Sequence, residues 1–274
     1  NVITDQKFAK SLFYDNEDDR LYIGSQGSTS RQGVDILELV KEEGSYKKIH
    51  HIRADPNISE FGSSVCIDRI ADEKNPDILI GAKDDGIYIY RFDINEYKCK
   101  GKINKQSSGY FADRSMCIVK RNNRDLLLVG NINENSSRGV VHVYKRSSEQ
   151  SSGWAKLIDI QPPEVEDEGY FGMSLFADGD NVYILAGYSS GLSTNGALYV
   201  YSYDNITGKP IETIRPPAEA KFGSCISVSV GKNKKGKIIK KNLYIGESSA
   251  TVVKNSITFT NSGTVYRYLK TFNN

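Results

Sequence analysis

Five times along the chain an aromatic residue opens a short apolar strand, a second strand ends in glycine, and a third begins with glycine. The openings are Phe8-Ala-Lys-Ser-Leu-Phe, Phe61-Gly-Ser-Ser-Val-Cys, Phe111-Ala-Asp-Arg-Ser-Met-Cys, Phe171-Gly-Met-Ser-Leu-Phe and Phe222-Gly-Ser-Cys-Ile-Ser. The second strands end at Gly24, Gly81, Gly130, Gly187 and Gly246, and the third begin at Gly33, Gly86, Gly139, Gly196 and Gly263. Successive openings lie 53, 50, 60 and 51 residues apart. A repeat of this size built only from strands is the signature of a β-propeller, with one sheet per repeat. The expectation is an all-β, five-bladed propeller of four-stranded antiparallel blades. It forms a single domain over residues 1–274, with repeats starting near residues 8, 61, 111, 171 and 222.

Each outermost strand, such as Tyr46-Lys-Lys-Ile-His-His-Ile or Trp154-Ala-Lys-Leu-Ile-Asp-Ile, alternates polar and apolar residues as a half-exposed edge strand does. The fifth repeat has no such segment after Val265-Tyr-Arg-Tyr-Leu. Its blade is therefore expected to hold three strands, 222–230, 241–246 and 263–270. Its third strand would offer an open edge to Val2 and Ile3 or to a strand of a partner.

The motif content resembles the FG-GAP repeats of the integrin α-subunit propeller family. Repeat two carries the resemblance best: Phe61-Gly62, then Asp68 and Asp72, then Asp77-Ile-Leu-Ile-Gly81-Ala82, then Gly86-Ile-Tyr-Ile-Tyr. The resemblance implies extracellular adhesion or ligand binding and a calcium loop in the repeat. Asp68, Asp72 and Asp77 are the calcium candidates, but Ile70 stands where an oxygen donor belongs and an extra residue separates Asp72 from Asp77. Calcium needs six to eight closely set oxygens, so no cofactor is expected and a structural turn is the preferred reading.

Composition narrows the function classes. Net charge is +2, from 36 Lys and Arg against 34 Asp and Glu, which argues against a nucleic-acid footprint. No apolar run reaches the roughly 18 residues of a membrane span. The four cysteines have no zinc spacing and read as buried thiols rather than a disulfide framework; Cys66, Cys117 and Cys225 lie on first strands that should face neighbouring sheets, and Cys99 on an outer strand. Three sequons, at Asn57, Asn135 and Asn205, point to a secreted or cell-surface setting. Free cysteines would also suit a reducing compartment. His50, His51 and His142 lack partners at metal-ligand spacing and read as surface or packed side chains. The lysine-rich stretch 231–241 reads as a solvated hairpin tip rather than an anion patch.

The loops between second and third strands, 25–32, 131–138, 188–195 and 247–262, are long and polar. In propeller geometry they share a face with the connections that bring Tyr110 and Tyr170. Tyr110, Tyr170, Tyr188, Arg114 and Asn131 are the candidate ligand-binding residues, facing a protein or a glycan. That reading makes the chain a non-catalytic binding or adhesion propeller. The alternative is a carbohydrate-active, glycosidase-like propeller using Glu60, Asp113 or Glu168 near the starts of the innermost strands. A third reading is a structural subunit of a larger assembly.

Overall fold

The computed structural model describes residues 9–26, 32–69, 75–105, 109–121, 124–163, 169–187, 195–217, 220–232, 238–247, 252–254, 257–259 and 263–271. It is a five-bladed, all-β propeller. Blade one holds β1 (Ser11–Asp15), β2 (Arg20–Ser25), β3 (Gly33–Val40) and β4 (Ser45–Arg53), paired in that order. Blade two holds β5 (Phe61–Asp68), β6 (Asp77–Ala82), β7 (Gly86–Asp93) and β8 (Glu96–Asn104). Blade three holds β9 (Phe111–Val119), β10 (Leu126–Asn131), β11 (Val140–Arg146) and β12 (Trp154–Ile160). Blade four holds β13 (Phe171–Ala177), β14 (Asn181–Ala186), β15 (Ala197–Ser202) and a short β16 (Glu212–Ile214).

Blade five is a three-stranded sheet of β17 (Ile226–Lys232), β18 (Ile238–Glu247) and β21 (Thr264–Thr271). The sequence placed its first strand from residue 222. The sheet instead starts at Ile226, because the N–H groups of Gly223 and Ser224 both point at the Gly246 carbonyl rather than continuing the ladder. Between β18 and β21, inside the long loop 247–262, lies a separate hairpin of β19 (Val252–Lys254) and β20 (Ile257–Phe259). Among the described residues β21 pairs only with β18, and its Val265 and Leu269 are 66% and 55% exposed.

The residues fall into two compact units. One comprises 1–118, 122–129 and 143–157; the other comprises 119–121, 130–142 and 158–274. In the first unit, one apolar core joins blades one and two through Tyr22, Val34, Ile36, Phe61, Ile78 and Ile80. A second joins blades two and three through Leu79, Ile87, Phe111, Leu127, Tyr144 and Trp154. In the second unit a core joins blades four and five through Leu185, Leu198, Phe222, Leu243 and Ile245. The Phe and Tyr landmarks of the repeat explain each other here. Phe61, wholly buried, meets Tyr88 and Tyr90 edge-on with centroids 5.8 and 5.9 Å away, and Phe222 meets Tyr266 and Tyr268 at 5.9 and 6.0 Å.

The glycines ending the second strands mark where consecutive blades touch backbone to backbone. A Cβ on Gly24 would collide with the Gly62 carbonyl, and one on Gly81 with the Ala112 carbonyl. One on Gly187 would lie 2.9 Å from the Gly223 carbonyl, and a Cβ on Gly172 would lie 3.2 Å from Gly130 Cα. The residue after the aromatic turns this carbonyl outward by adopting positive φ, +89° at Gly62 and +53° at Ala112. Serines on the preceding blade donate to the same carbonyls: Ser11 Oγ to Gly62 O at 3.0 Å, and Ser63 Oγ to Ala112 O at 2.9 Å. Small residues are therefore required at the seam.

Ion pairs join the same successive blades at the far ends of the innermost strands. Asp15 accepts from the buried Arg69, and Asp68 from Arg146. In the second unit Arg121 meets Asp204 at 3.0 Å, and Lys241 meets Asp178 at 2.6 Å. Lys241 is thus a buried strand residue, in keeping with the expected strand 241–246 and against the reading of 231–241 as a solvated tip; residues 233–237 of that stretch lie outside the described set. The thiols also depart from expectation in part. All four are free; Cys66 is buried and Cys117 half-buried with its thiol turned inward, while Cys99 and Cys225 are exposed. Burial lifts the Cys66 thiol well above its ordinary range and the Cys117 thiol to about 12, so both are held as unreactive neutral groups.

Candidate functional site

A polar cluster gathers in the first unit, where chain enters the innermost strands of its three blades. Lys10 lies just before β1, Gln26 just after β2, Glu60 just before β5, Lys83 just after β6, Tyr110 just before β9, and Asp113 and Arg114 within β9. Glu60 sits in the left-handed region with φ +52°, a conformation costing a non-glycine residue about 1–2 kcal/mol. Strain of this kind, held by the packing around Phe61, is a feature that accumulates at working sites.

Two subclusters share this space. Glu60 pairs with Lys83 at 3.1 Å, and the Lys83 ammonium sits 3.7 Å from the centre of the Tyr110 ring. Burial pulls Lys83 down, but its bond and attraction to Glu60 outweigh this and leave it above the usual lysine range. Asp113 is 5% exposed, and its carboxylate is approached by Gln26 Nε2 at 3.4 Å, Arg114 Nε at 3.7 Å and Lys10 Nζ at 3.9 Å. Burial holds Lys10 below the usual range; Asp113 and Glu60 oppose this, while Arg114 and Lys83 reinforce it. Both lysines feel both carboxylates, which marks the seven residues as one electrostatic neighbourhood.

The second unit carries a different constellation. His142 is wholly buried, with Nδ1 2.6 Å from Asp159 and Nε2 3.0 Å from Glu134. Asn131, also wholly buried, donates from Nδ2 to Glu134 at 2.7 Å. Glu134 thereby anchors a short turn, α1 (Glu134–Ser137), in which Asn135, Ser136 and Ser137 all have positive φ. That turn receives Tyr170, itself at φ +62°, through Tyr170 N–H to Ser137 O at 2.8 Å. His142 reads as a structural anchor for the turn rather than a surface group.

Of the ligand-binding candidates, Tyr110 and Arg114 belong to the first cluster and are partly exposed; Asn131 is committed inside the second unit, and Tyr170 is half-buried above its turn. Tyr188 and Glu168 lie outside the described residues. Of the calcium candidates, Asp68 is taken by Arg146 and Asp77 by both ends of Arg91, at 2.6 and 2.8 Å, while Asp72 lies outside the described residues. Among the described residues no group of three or more His, Cys, Asp or Glu is arranged to hold a metal ion. No helix among them is long and apolar enough to cross a membrane.

Lys10, Gln26 and Lys83 were not anticipated, because they come from separate repeats and form no local motif. A positional signal did exist. Lys10 and Asp113 each lie two residues after the aromatic landmark of their repeat, and Gln26 and Lys83 each lie two residues after the second-strand glycine.

No family model matches the chain, and no curated protein matches it in sequence. Solved structures do share the fold. Sqt1 from Saccharomyces cerevisiae is 10% identical with a TM-score of 0.53, over 98% of this chain and 64% of its own. A family 32 β-fructofuranosidase from Bombyx mori is 13% identical with a TM-score of 0.52, over 86% of this chain and 53% of its own. A DUF4623 family protein from Bacteroides eggerthii is 15% identical with a TM-score of 0.51, over 82% of this chain and 53% of its own. At such identities the likeness defines the class, a β-propeller, and nothing narrower. The chain spans between about half and two thirds of the length of these structures.

Proposed function

We propose that this propeller binds a carbohydrate on the cluster around Asp113. The observation that carries the reading is the convergence of a buried carboxylate, a strained glutamate, three cations, an amide and a partly exposed tyrosine at one strand-entrance face. Ligand sites set a small number of placed polar groups beside aromatic side chains, and this cluster supplies both. Asp113 has no contact shorter than 3.4 Å among those described above, so its oxygens retain acceptor capacity for hydroxyl groups.

The experiment is a glycan-array screen followed by calorimetry on the Asp113→Asn and Tyr110→Ala variants. At least about a tenfold loss of affinity in each, with unchanged melting temperature, is expected; that corresponds to about 1.4 kcal/mol. Capture of no glycan, or full affinity in both variants, would overturn the reading.

A second reading, glycoside hydrolysis, is favoured by one observation: Glu60 and Asp113 act on the same two lysines, and glycosidases work with paired carboxylates. Its fold-level company includes the β-fructofuranosidase. Reducing-sugar release from any glycan that binds, abolished by Glu60→Gln or Asp113→Asn, would select it. Binding without turnover selects the first reading.

A further inference from the structure

We infer that the carbohydrate bound at this cluster carries an anionic group, a carboxylate or a sulfate, received between Lys10 and Arg114. The inference rests on the carbohydrate reading above and deepens it.

The charge arrangement carries the argument. Lys83 has its own counter-ion in Glu60, at 3.1 Å, and its ammonium also lies against the Tyr110 ring. Asp113 is left to serve two cations, Lys10 at 3.9 Å and Arg114 at 3.7 Å. Both separations exceed hydrogen-bond distance. Among the described residues the cluster therefore holds three cations against two carboxylates, and its surplus positive charge lies at Lys10 and Arg114. These two are the accessible ones as well, with side chains 27% and 43% exposed, whereas Asp113 is at 6%. Asp113 thus forms the floor and the two cations the rim.

A neutral sugar would leave the partly buried Lys10 in an environment that disfavours its charge. An anion placed between Lys10 and Arg114 relieves that penalty. It also uses the guanidinium fork, whose planar donors match a carboxylate or sulfate. The cluster is too small, and the chain at net +2 too evenly charged, to act as a general polyanion surface.

The test uses matched ligand pairs in titration calorimetry: an oligogalacturonide against its methyl ester, and a sulfated oligosaccharide against its desulfated form. Each is titrated into the native protein and into Lys10→Gln, Arg114→Gln and the double variant, with melting temperature as the fold control. Polyglutamate serves as an anion without sugar. One acidic form should bind at least about tenfold tighter than its neutral partner, the advantage should shrink at high salt, and the double variant should lose it. The pair that responds identifies carboxylate or sulfate. Equal binding of neutral and acidic forms would overturn this inference while leaving the carbohydrate reading standing. Equal binding of polyglutamate, or an acidic preference that survives the double variant, would also overturn it. Failure of every sugar, charged or neutral, would remove both.

Discussion

At the scale of single residues, the seam between blades two and three makes the sharpest demand. Gly81 sits against the Ala112 carbonyl and the Ser64 hydroxyl, with no room for a methyl group. Gly81→Ala must push blade three's backbone away, and overpacking of this kind costs about 3 kcal/mol. Gly44 offers the control, since its φ is +62° but nothing lies within 4 Å of where a Cβ would stand. Gly44→Ala should cost only the conformational penalty of about 1 kcal/mol. Denaturant unfolding of both variants checks the contrast; equal losses would show that the seam is looser than its geometry says. These glycines were visible in the sequence as periodic landmarks, but their reason was not. A repeat pattern records that a small residue is needed without recording which carbonyl fills the space. The binding residues were visible only in part for a related reason. Tyr110 and Arg114 sit on the predicted face, while Lys10 and Lys83 gain meaning only when folding brings blades one and two beside blade three.

At the scale of elements, the strands of the first four blades were legible because alternation, glycine punctuation and aromatic openings agreed with one another. The late start of β17 was not, because Phe222-Gly-Ser-Cys reads like the openings of the other repeats. The hairpin of β19 and β20 left a signal that the loop's Ser and Asn content masked: Val252, Val253, Ile257 and Phe259 interrupt the polar run. The ion pairs crossing from strand to strand were equally hidden, each joining residues of different repeats. The pair on β18 yields a prediction. Asp178 accepts from Lys241 at 2.6 Å, from the Tyr183 hydroxyl at 2.8 Å and from Asn181 N–H at 2.9 Å. Burial pushes its carboxyl upward, but these donors win and hold it below the ordinary aspartate range. A depressed folded-state value contributes stability above the unfolded value near 3.8, lost as pH falls through the folded one. Lys241→Met removes the main compensating charge. It should cost about 3 kcal/mol at neutral pH and move the acid-unfolding midpoint upward. Adding Asp178→Asn should recover much of the neutral-pH loss. An unmoved acid midpoint in the single variant would show that Tyr183 and Asn181 suffice.

The whole molecule has an alkaline limit set by its tyrosines. The chain has 17 tyrosines. Burial, as the leading cause, raises Tyr90, Tyr201 and Tyr266 to about 12, and lifts Tyr22, Tyr88 and Tyr183 further still. Tyr88, Tyr183 and Tyr266 also donate to Asp85, Asp178 and Glu247, which strengthens the effect. The folded state therefore keeps protons that the unfolded chain releases near pH 10. Stability should be complete below about pH 10 and fall as pH rises from there through 12. Absorbance at 295 nm should show two steps. Accessible tyrosines ionise first, and the buried set ionises together with loss of the folded circular-dichroism signal. A single step near pH 10 with the fold intact would contradict the packing of these rings.

The seam contact has a direction. On one side stand a glycine and a serine hydroxyl; on the other stands a carbonyl turned outward by a left-handed residue, as at Gly24 and Ser11 facing Gly62, or Gly81 and Ser63 facing Ala112. Each such junction is head-to-tail rather than self-complementary, so a copied repeat arrives with both halves of the joint already matched to its parent. A gene for a chain of this kind can lengthen by duplication without inventing a new interface. Its outer strands and loops are then free to diverge as long as each copy keeps its own glycine and its own outward carbonyl.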